Sequence, residues 1–268
     1  MMQSLRAFLT AMKNNPRKLA KTMTTVPDVC NGFQFAQDFK ALPRAKSDLS
    51  CAPRNVIWEY FQNYKEGPGI FKWEHYFDIY QRHLAKFVGR KVDVLEIGIY
   101  SGGSLKMWRS YFGEKCHVYG VDIQEACKAY EDEHVTVFIG DQADRNFWRT
   151  FKSNVQGIDV VVDDGGHRPE QQQITLEELL GHIRPGGVYV CEDVHGVFNN
   201  FAGFVMGFVH ALNSCDWVGG PILRSRVTQF QSAIHSIHFY PYVIVIEKHF
   251  ESPSMFTAPK HGTEWQPF

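Results

Sequence analysis

The sequence predicts an α/β protein with a doubly wound, mostly parallel sheet, preceded by an N-terminal helical extension. Three observations support this fold class. The chain has 268 residues, 44% of them hydrophobic, so it can bury a full core. After Lys91, short apolar runs alternate with stretches of helical periodicity. Acidic residues follow several of these apolar runs, as expected where parallel strands end at one edge of a sheet.

The alternation after Lys91 predicts five strands joined by helices. Each parallel return needs a crossover, so such strands form a sheet covered on both faces. Strands are predicted at 92–97, 118–121, 135–139, 158–162 and 188–191, and helices at 104–112, near 147–151 and at 174–183. The last helix is expected to end at the RPGG run 184–187, because proline and glycine stop helices. The segment 237–248 supplies one or two closing strands.

The N-terminal part is predicted to form an extension or lid over residues 1–56, with the main domain at 57–268. No acidic residue precedes Asp28, and Leu5, Phe8, Leu9 and Met12 fall at helical spacing among basic residues. This pattern is typical of a helix packed on its own domain or on a partner subunit, and also of a transit peptide or a membrane-surface helix. The stretch 27–53 holds no period, which favours an irregular linker or lid.

An aromatic segment begins near Trp58. Within it Trp73, Phe77, Tyr80 and Leu84 recur every three or four residues, which predicts a helix with one apolar face. We expect most of these side chains to lie in the core and a minority to line a pocket.

Charge and cysteine usage narrow the class of protein. The 28 basic and 29 acidic side chains nearly balance, which disfavours nucleic acid as the main partner and favours a small, weakly charged substrate. The six cysteines are scattered, with no C-x-x-C pair and no apolar signal-peptide core before them, so we expect reduced thiols in a cytoplasmic protein. No segment approaches the roughly 20 apolar residues of a membrane span, so no integral membrane segment is expected.

A glycine-containing loop, LEIGIYSGGS at 95–104, lies at the first strand-to-helix junction. Gly98, Ser101 and Gly102 allow a sharp turn and a close approach to a ligand at a helix N-terminus. A dinucleotide fingerprint would need glycine where Tyr100 stands, so NAD is disfavoured. Glu96 could hold an ammonium group or a hydrogen-bond network beneath the ligand.

Polar residues end the next two strands. Asp122 could accept hydrogen bonds from both hydroxyls of a ribose, and Asp141 with Gln142 could read an adenine edge. Any one such acid could be only a helix cap or a solvated loop residue. Acids at three successive strand ends, all at the carboxyl edge where open α/β sheets bind ligands, favour a cofactor site.

Two acidic pairs follow the fourth and fifth strands: Asp163 with Asp164, and Glu192 with Asp193. Clustered carboxylates repel one another unless a cation or a proton offsets them. A hard divalent ion such as Mg²⁺ binds oxygen ligands and waters, so the pairs predict a metal site. The competing interpretation is that they cap helices or bind the cofactor.

His167 lies three residues beyond Asp164 and before Pro169, which can open a helix. An imidazole with a near-neutral pKa can accept a proton from a hydroxyl that a metal has made more acidic. His167 is therefore the candidate general base, and His195, nearer the end of the fifth strand, is the second candidate.

These motifs in this order resemble the class I S-adenosylmethionine-dependent methyltransferases of the macrocin and mycinamicin sugar O-methyltransferase type. The resemblance runs from about Trp73 to Lys248 and rests on the segments 95–98, 101–105, 140–142, 163–167, 184–187, 192–193 and 237–248. It does not cover residues 1–56. One departure is Gly166, where serine is usual.

The resemblance implies a Rossmann-like methyltransferase domain at 57–268 and Mg²⁺-dependent methylation of a hydroxyl by a homo-oligomeric enzyme. The methyl donor would be S-adenosylmethionine, and the acceptor a small molecule such as a sugar of a glycosylated natural product. Asp164, Glu192 and Asp193 would bind the metal, and His167 would be the base. Residues facing the cofactor side would be Glu96, Gly98, Ser101, Gly102, Asp122, Asp141, Gln142 and Asp163.

Two other functions fit the same residues. One is a protein of this fold that binds the cofactor without methyl transfer, as an isomerase or a hydroxylase-associated protein. The other is a non-enzymatic binding module, which would show no metal dependence.

Overall fold

A computed structural model of the chain describes residues 16–40, 55–220 and 222–264. The chain divides into two compact units, Met1–Pro53 and Arg54–Phe268. In the first unit, helix α1 spans Pro16–Asp38. The prediction of an irregular stretch from residue 27 was therefore wrong as far as Asp38, because the helix continues through Pro27, whose ring removes a backbone hydrogen bond without ending this helix. The helical pattern from Leu5 to Met12 lies outside the described residues.

The second unit is built on a seven-stranded sheet with the order β3-β2-β1-β4-β5-β9-β8. The five strands β1 to β5 run parallel, and β9 lies antiparallel to both β5 and β8. The mostly parallel, Rossmann-like sheet predicted from the sequence is thus confirmed. The strands are β1 Val92–Ile97, β2 Cys116–Asp122, β3 Val135–Ile139, β4 Ile158–Asp163, β5 Ile183–Cys191, β8 Ile234–Tyr240 and β9 Val243–Lys248.

Helices cover both faces of this sheet, as a doubly wound fold requires. The helices are α2 Val56–Asn63, α3 Tyr76–Leu84, α4 Gly103–Phe112, α5 Arg145–Asn154, α6 Pro169–Leu179, α7 Asn200–Leu212 and α8 Gln229–Ala233. Helices α2 to α4 pack with Val94, Val160 and Val245 in one apolar cluster. Helices α5 to α8 pack with Leu95 and Val161 in the other. Successive side chains along β1 and β4 point to opposite faces of the sheet, so they pack into the two different apolar clusters.

The start of β5 differs from the prediction. The strand begins at Ile183, and helix α6 ends earlier than expected, at Leu179. The run 184–187 lies within the strand as an irregularity, because the pairing with β4 jumps from Ile158–Ile183 to Val160–Val188. Gly186 has φ +78°, which suits such a bulge. Proline and glycine here mark a bulge in a strand and do not end a helix.

Several elements were not predicted from the sequence: α2, α7, α8 and a small second sheet with the order β10-β7-β6. Its strands are β6 Asp216–Val218, β7 Leu223–Arg226 and β10 Met255–Ala258. In the described part of the chain, the cysteines are free thiols, and no helix is long and apolar enough to cross a membrane. Cys51 lies outside the described residues.

Candidate active site

A cavity of about 920 Å³ opens at the carboxyl ends of the parallel strands. This is where ligands bind in open α/β sheets, beside the point where the strand order reverses between β1 and β4. Its size lies within the range of cofactor sites. The wall holds most of the predicted site residues: Gly98, Ser101, Asp122, Asp141, Gln142, Asp164, His167 and Asp193. It also holds residues 69–72, which precede α3.

The glycine loop packs tightly against the end of β4. Gly98 has φ +88°, and a Cβ atom there would collide with the carbonyl oxygen of Asp164. The backbone N–H groups of Ile99 and Tyr100 both donate to Oδ2 of Asp122, at 2.9 and 3.0 Å. Asp122 therefore fixes the loop from β2 while it lines the cavity. The loop leads into α4, and a helix N-terminus can bind an anionic ligand group.

Glu96 lies beneath the loop, fully buried, and accepts a hydrogen bond from Ser104 Oγ at 2.7 Å. Burial raises its pKa, and the nearby Lys72 ammonium, with Nζ 3.6 Å from Oε1, lowers it in part. Oε1 is buried without a hydrogen-bond partner. The Lys72 ammonium, 3.6 Å away, is the cation that faces this oxygen. Gly102, at the N-terminus of α4, has φ +77° and packs on the ring of Tyr130.

Asp163 is placed behind the cavity wall, not in it. It is 1% exposed, and its carboxylate accepts hydrogen bonds from Gln142 Nε2 at 3.0 Å and from the Tyr189 hydroxyl at 2.9 Å. Gln142 in turn accepts the Gly166 backbone N–H at 2.6 Å. Gln142 and Asp163 thus brace the loop after β4 from below. At Gly166, the nearest atoms that a Cβ would meet belong to the end of the Gln171 side chain, so a serine here would require that flexible side chain to shift.

The buried Asp163 predicts a pH-dependent stability. Burial raises its pKa from 3.8 to about 6, although hydrogen bonds from Tyr189 and Gln142 oppose the shift. The folded protein therefore keeps a proton that the unfolded chain releases, and this carboxyl's contribution to stability falls as pH rises from 3.8 to about 6. The shift corresponds to about 3 kcal/mol. We expect the free energy of unfolding of the unaltered protein, minus that of Asp163→Asn, to fall by most of this amount between pH 4 and 7 in urea titrations. A constant difference would contradict the shift.

Of the predicted site residues at the ends of β4 and β5, some place their polar atoms together at the cavity and others are fully buried. Asp164, His167 and Asp193 each offer a ligand atom, and these atoms lie within 4.8 Å of one another. Asp193 Oδ2 lies 3.6 Å from His167 Nε2, and its Oδ1 lies 3.5 Å from His195 Nε2. Two carboxylates beside an imidazole, open to the cavity, suit one divalent cation together with waters. Both His167 and Asp193 have left-handed backbone conformations, φ +56° and +53°, a strain that often marks functional sites.

Glu192 is placed differently from its neighbour Asp193. It is fully buried, and Oε1 accepts a hydrogen bond from the Tyr80 hydroxyl at 2.5 Å. Its Oε2 accepts one from Lys72 Nζ at 3.0 Å. Burial raises the pKa of Glu192, and the Lys72 ammonium opposes that shift. Glu192 is therefore not part of the group formed by Asp164, His167 and Asp193.

Lys72 is the main site residue that sequence reasoning missed. Its Nζ lies 2.6 Å from Asp164 Oδ2, and its side chain is only 3% exposed. Burial alone would lower its pKa, but the carboxylates of Asp164, Glu192 and Glu96 raise it well above the ordinary value. A single lysine within an aromatic segment gives no periodic signal.

Aromatic side chains from the same segment also reach the site. The Trp73 indole N–H donates to Asp193 Oδ1 at 3.1 Å, and the Tyr76 hydroxyl donates to the same oxygen at 2.7 Å. Trp73 was expected on the buried face of the helix, but it precedes α3 and is 50% exposed. In this aromatic segment Phe71 lines the cavity, while Trp73 and Tyr76 contact Asp193, which also lines it.

A second group of possible ligands, His83, His238 and Glu247, lies outside the cavity. His83 contacts Glu247 Oε1 at 2.5 Å and the Tyr240 hydroxyl at 2.8 Å. Lys86 pairs with the other oxygen of Glu247 at 2.7 Å. The contacts of His83 with Glu247 and Tyr240 join α3 to β8 and β9, and His238 contacts Ser236 at 3.0 Å.

Part of the chain is similar in sequence to known methyltransferases. Residues 95–194 match the family described as "Methyltransferase domain". Demethylmacrocin O-methyltransferase from Streptomyces fradiae is 37% identical over 122 residues, which are 43% of this chain and 30% of that protein. The 8-demethyl-8-alpha-L-rhamnosyl tetracenomycin-C 2'-O-methyltransferase from Streptomyces olivaceus is 31% identical over 202 residues, 67% of this chain and 52% of that protein.

The structure of the chain is also similar to a solved methyltransferase structure. The MycE methyltransferase from the mycinamycin biosynthetic pathway, in complex with Mg, SAH and mycinamycin VI, aligns with a TM-score of 0.59 and 25% identity. The alignment covers 73% of this chain and 53% of that one. The chain thus spans about a third to about half of the length of these relatives. Residues 95–194 thus match a methyltransferase domain within a Rossmann-like fold, and the resemblance of this chain to the macrocin and mycinamicin sugar O-methyltransferases is confirmed.

Proposed function

We propose that the chain is a Mg²⁺-dependent O-methyltransferase that moves a methyl group from S-adenosylmethionine to a hydroxyl of a small molecule. The observation that carries this proposal is one cavity whose wall holds residues 98–101 of the glycine loop together with Asp164, His167 and Asp193. The relatives named above act on glycosylated natural products, so a sugar hydroxyl is the acceptor to test first.

The cavity residues fit both groups that this chemistry needs. Gly98, Ser101, Asp122, Asp141 and Gln142 line the cavity and would hold the cofactor. Gly102, Glu96 and Asp163 do not line it and would support the cofactor side from behind the wall. Asp164 and Asp193 would hold the ion, because their carboxylates face the cavity and supply the oxygen ligands that Mg²⁺ prefers. When bound, Mg²⁺ makes a hydroxyl more acidic, and S-adenosylmethionine supplies an electrophilic methyl group.

The chain's own residues would then position and deprotonate the acceptor. His167 would accept the hydroxyl proton at Nε2, and the imidazolium that forms would lie 3.6 Å from the Asp193 carboxylate. Trp73 and Tyr76 hold that carboxylate through Oδ1, which leaves Oδ2 directed toward His167. Alignment of the hydroxyl oxygen with the methyl group would supply much of the rate.

Replacement of His167 tests the proposed base. Because general base catalysis contributes about 10²- to 10⁴-fold, we expect His167→Gln to lower kcat by at least about 100-fold. The affinity for S-adenosylmethionine, measured by calorimetry, should change little because His167 is not part of the glycine loop. His195→Gln is the matched control, since His195 lies at a similar distance from Asp193. A larger loss in His195→Gln would transfer the role of base to that residue.

Product analysis tests the proposal against cofactor binding without methyl transfer. The protein would be incubated with S-adenosylmethionine, Mg²⁺ and a panel of glycosylated acceptors. We expect S-adenosylhomocysteine and a methylated acceptor to form in equal amounts. Cofactor that binds but stays intact with every acceptor would favour the alternative of a binding protein.

Three further sequence-based expectations stay proposals: a cytoplasmic location, a homo-oligomer, and no nucleic-acid partner. The near-neutral net charge of −1 supports the last, and the resemblance supports the oligomer.

A further inference from the structure

Three side chains outside the cavity converge on one point at the β8 edge of the sheet. His83 comes from α3, His238 from β8 and Glu247 from β9, and each offers a ligand atom within 4.8 Å of the other two. Two imidazoles face the same carboxylate oxygen, Glu247 Oε1: His83 Nδ1 lies at 2.5 Å and His238 Nε2 at 3.9 Å. We call this group the histidine site. None of its members lines the cavity, so the proposed methyl transfer does not use them.

The ligand atoms of the histidine site are mostly nitrogen, which determines the ion that suits it. Two imidazole nitrogens and one carboxylate oxygen are a ligand set of Zn²⁺, which can take a water in the fourth position. Mg²⁺ prefers oxygen ligands. Ligand atoms of a tetrahedral Zn²⁺ lie about 3.3 Å apart. The separations of 2.5 and 3.9 Å from Glu247 Oε1 lie on either side of this value, so a shift of the carboxylate from His83 toward His238 would suit the ion.

Glu247 and His238 are in the protonation states that bind metals. Burial would raise the pKa of Glu247, but contacts with His83 and Lys86 lower it to about 2, so the carboxyl is ionised. Burial lowers the pKa of His238, and the neighbouring His83 lowers it further. A neutral imidazole keeps a lone pair for an ion. The two imidazole rings, with centroids 4.6 Å apart, would repel each other if both were charged, whereas both can bind one cation.

His83 and Glu247 are also held in the orientation that the histidine site needs. The Tyr240 hydroxyl contacts His83 Nε2 at 2.8 Å, which leaves Nδ1 directed toward Glu247. Histidines that bind metals almost always have such a partner on the other ring nitrogen. Lys86 Nζ lies 2.7 Å from Glu247 Oε2, so Oε1 is the oxygen left for an ion. Because the Lys86 side chain is 40% exposed, water screens its charge.

His238 is the member through which an ion could enter. Its side chain is 37% exposed, whereas that of His83 is 2% exposed. Ser236 Oγ contacts His238 Nε2 at 3.0 Å and His235 Nδ1 at 3.2 Å. The hydroxyl therefore keeps a partner when His238 turns from it toward an ion.

We propose that His83, His238 and Glu247 form a second cation site, which binds Zn²⁺ and joins α3 to the strands β8 and β9. Helix α3 also carries Tyr76 and Tyr80, whose hydroxyls donate to the acids that follow β5. Zn²⁺ at the histidine site would thus stabilise the helix that holds these acids, without sharing a ligand with the ion in the cavity. The proposal is independent of the proposed function, because Zn²⁺ binding here and methyl transfer can each occur without the other.

Zn²⁺ titrations by calorimetry test the histidine site. We expect the unaltered protein to bind Zn²⁺ there with a dissociation constant of about 1 µM or below. His238→Gln should weaken this binding by about a hundredfold, because one of three protein ligands is lost. Each protein would also be titrated with Asp193→Asn added, which removes a ligand from the cavity group and so separates binding in the cavity from binding at the histidine site.

His235→Gln is the matched control, because His235 lies on the same strand and contacts the same serine hydroxyl as His238. It should change the Zn²⁺ dissociation constant by no more than about twofold. Equal Zn²⁺ affinity in His238→Gln and the unaltered protein would overturn the proposal. Absence of Zn²⁺ binding in the Asp193→Asn protein would overturn it too.

Thermal unfolding gives a second readout of the same proposal. Since an ion that binds the folded state stabilises it, Zn²⁺ should raise the unfolding temperature of the unaltered protein and of His235→Gln, but not of His238→Gln. If the three side chains only join α3 to the sheet by hydrogen bonds, Zn²⁺ will shift all three proteins equally, and that result would overturn the proposal. Neither readout uses methyl transfer, so a negative result would leave the proposed function standing.

Discussion

Asp164→Ala is expected to abolish methyl transfer while S-adenosylmethionine still binds. A metal that stabilises developing negative charge contributes several kcal/mol, so turnover should fall by about a thousandfold or more when its ligand is lost. Cofactor affinity should stay close to that of the unaltered protein, because the loop at 98–103 and its brace, Asp122, are unchanged. Product formation and cofactor calorimetry on the same preparation would measure both effects.

The fold should survive this substitution. Without Asp164, Lys72 keeps Glu192 at 3.0 Å, so no buried ammonium is left without a partner. Glu133→Gln provides a control for the loss of one negative charge, since the Glu133 side chain is 84% exposed. Full activity of Asp164→Ala in the presence of a chelator would contradict the proposed metal site.

Gly98→Val is expected to cause the second large effect, the loss of cofactor binding. The positive φ of Gly98 disfavours any side chain, and a Cβ would collide with the Asp164 carbonyl oxygen. Either the loop moves away from β4 or the end of β4 moves. Both changes open the cofactor side of the cavity, so we expect at least about a hundredfold weaker S-adenosylmethionine binding, equivalent to nearly 3 kcal/mol.

Gly113→Val separates backbone strain from this collision. Gly113 has a similar φ of +97°, but a Cβ there would have only the Gly89 Cα within 4 Å, at 4.0 Å. Both variants should unfold at lower temperature, because both place a side chain in the left-handed region. Cofactor affinity should fall only in Gly98→Val. Equal cofactor affinity in Gly98→Val and the unaltered protein would show that the cofactor does not approach this loop.

The fold could be predicted because its signals are local. Apolar runs such as 158–162 are strand-sized, and the helical spacing of Leu105, Trp108 and Phe112 survives in α4. The acids could be placed at one edge because the carboxyl ends of parallel strands meet there. The cavity residues Gly98, Asp122, Asp164 and Asp193 follow from that single rule.

The remaining features depend on contacts between distant parts of the chain. Lys72 meets Asp164 across 92 residues and Glu192 across 120, so no spacing along the sequence reveals either pair. Glu192 and Asp193 are neighbours with different surroundings, because both follow the end of β5 at Cys191 and the backbone turns at Asp193, which has φ +53°. Asp163 and Asp164 divide in the same manner, one behind the wall and one in it. The sequence thus predicts the two acidic pairs, but not which member of each pair lines the cavity and which is buried.

The proposed Mg²⁺-dependent methyl transfer can be tested by following a labelled methyl group from S-adenosylmethionine. The protein would be incubated with the labelled donor and a metabolite extract of its host, with Mg²⁺, with chelator, and with Mg²⁺ restored after chelation. We expect label in a small-molecule fraction with Mg²⁺, its loss with chelator, and its return when Mg²⁺ is restored. Equal transfer in all three conditions would contradict the metal-dependent site, and no transfer in any of them would contradict the proposed methyl transfer.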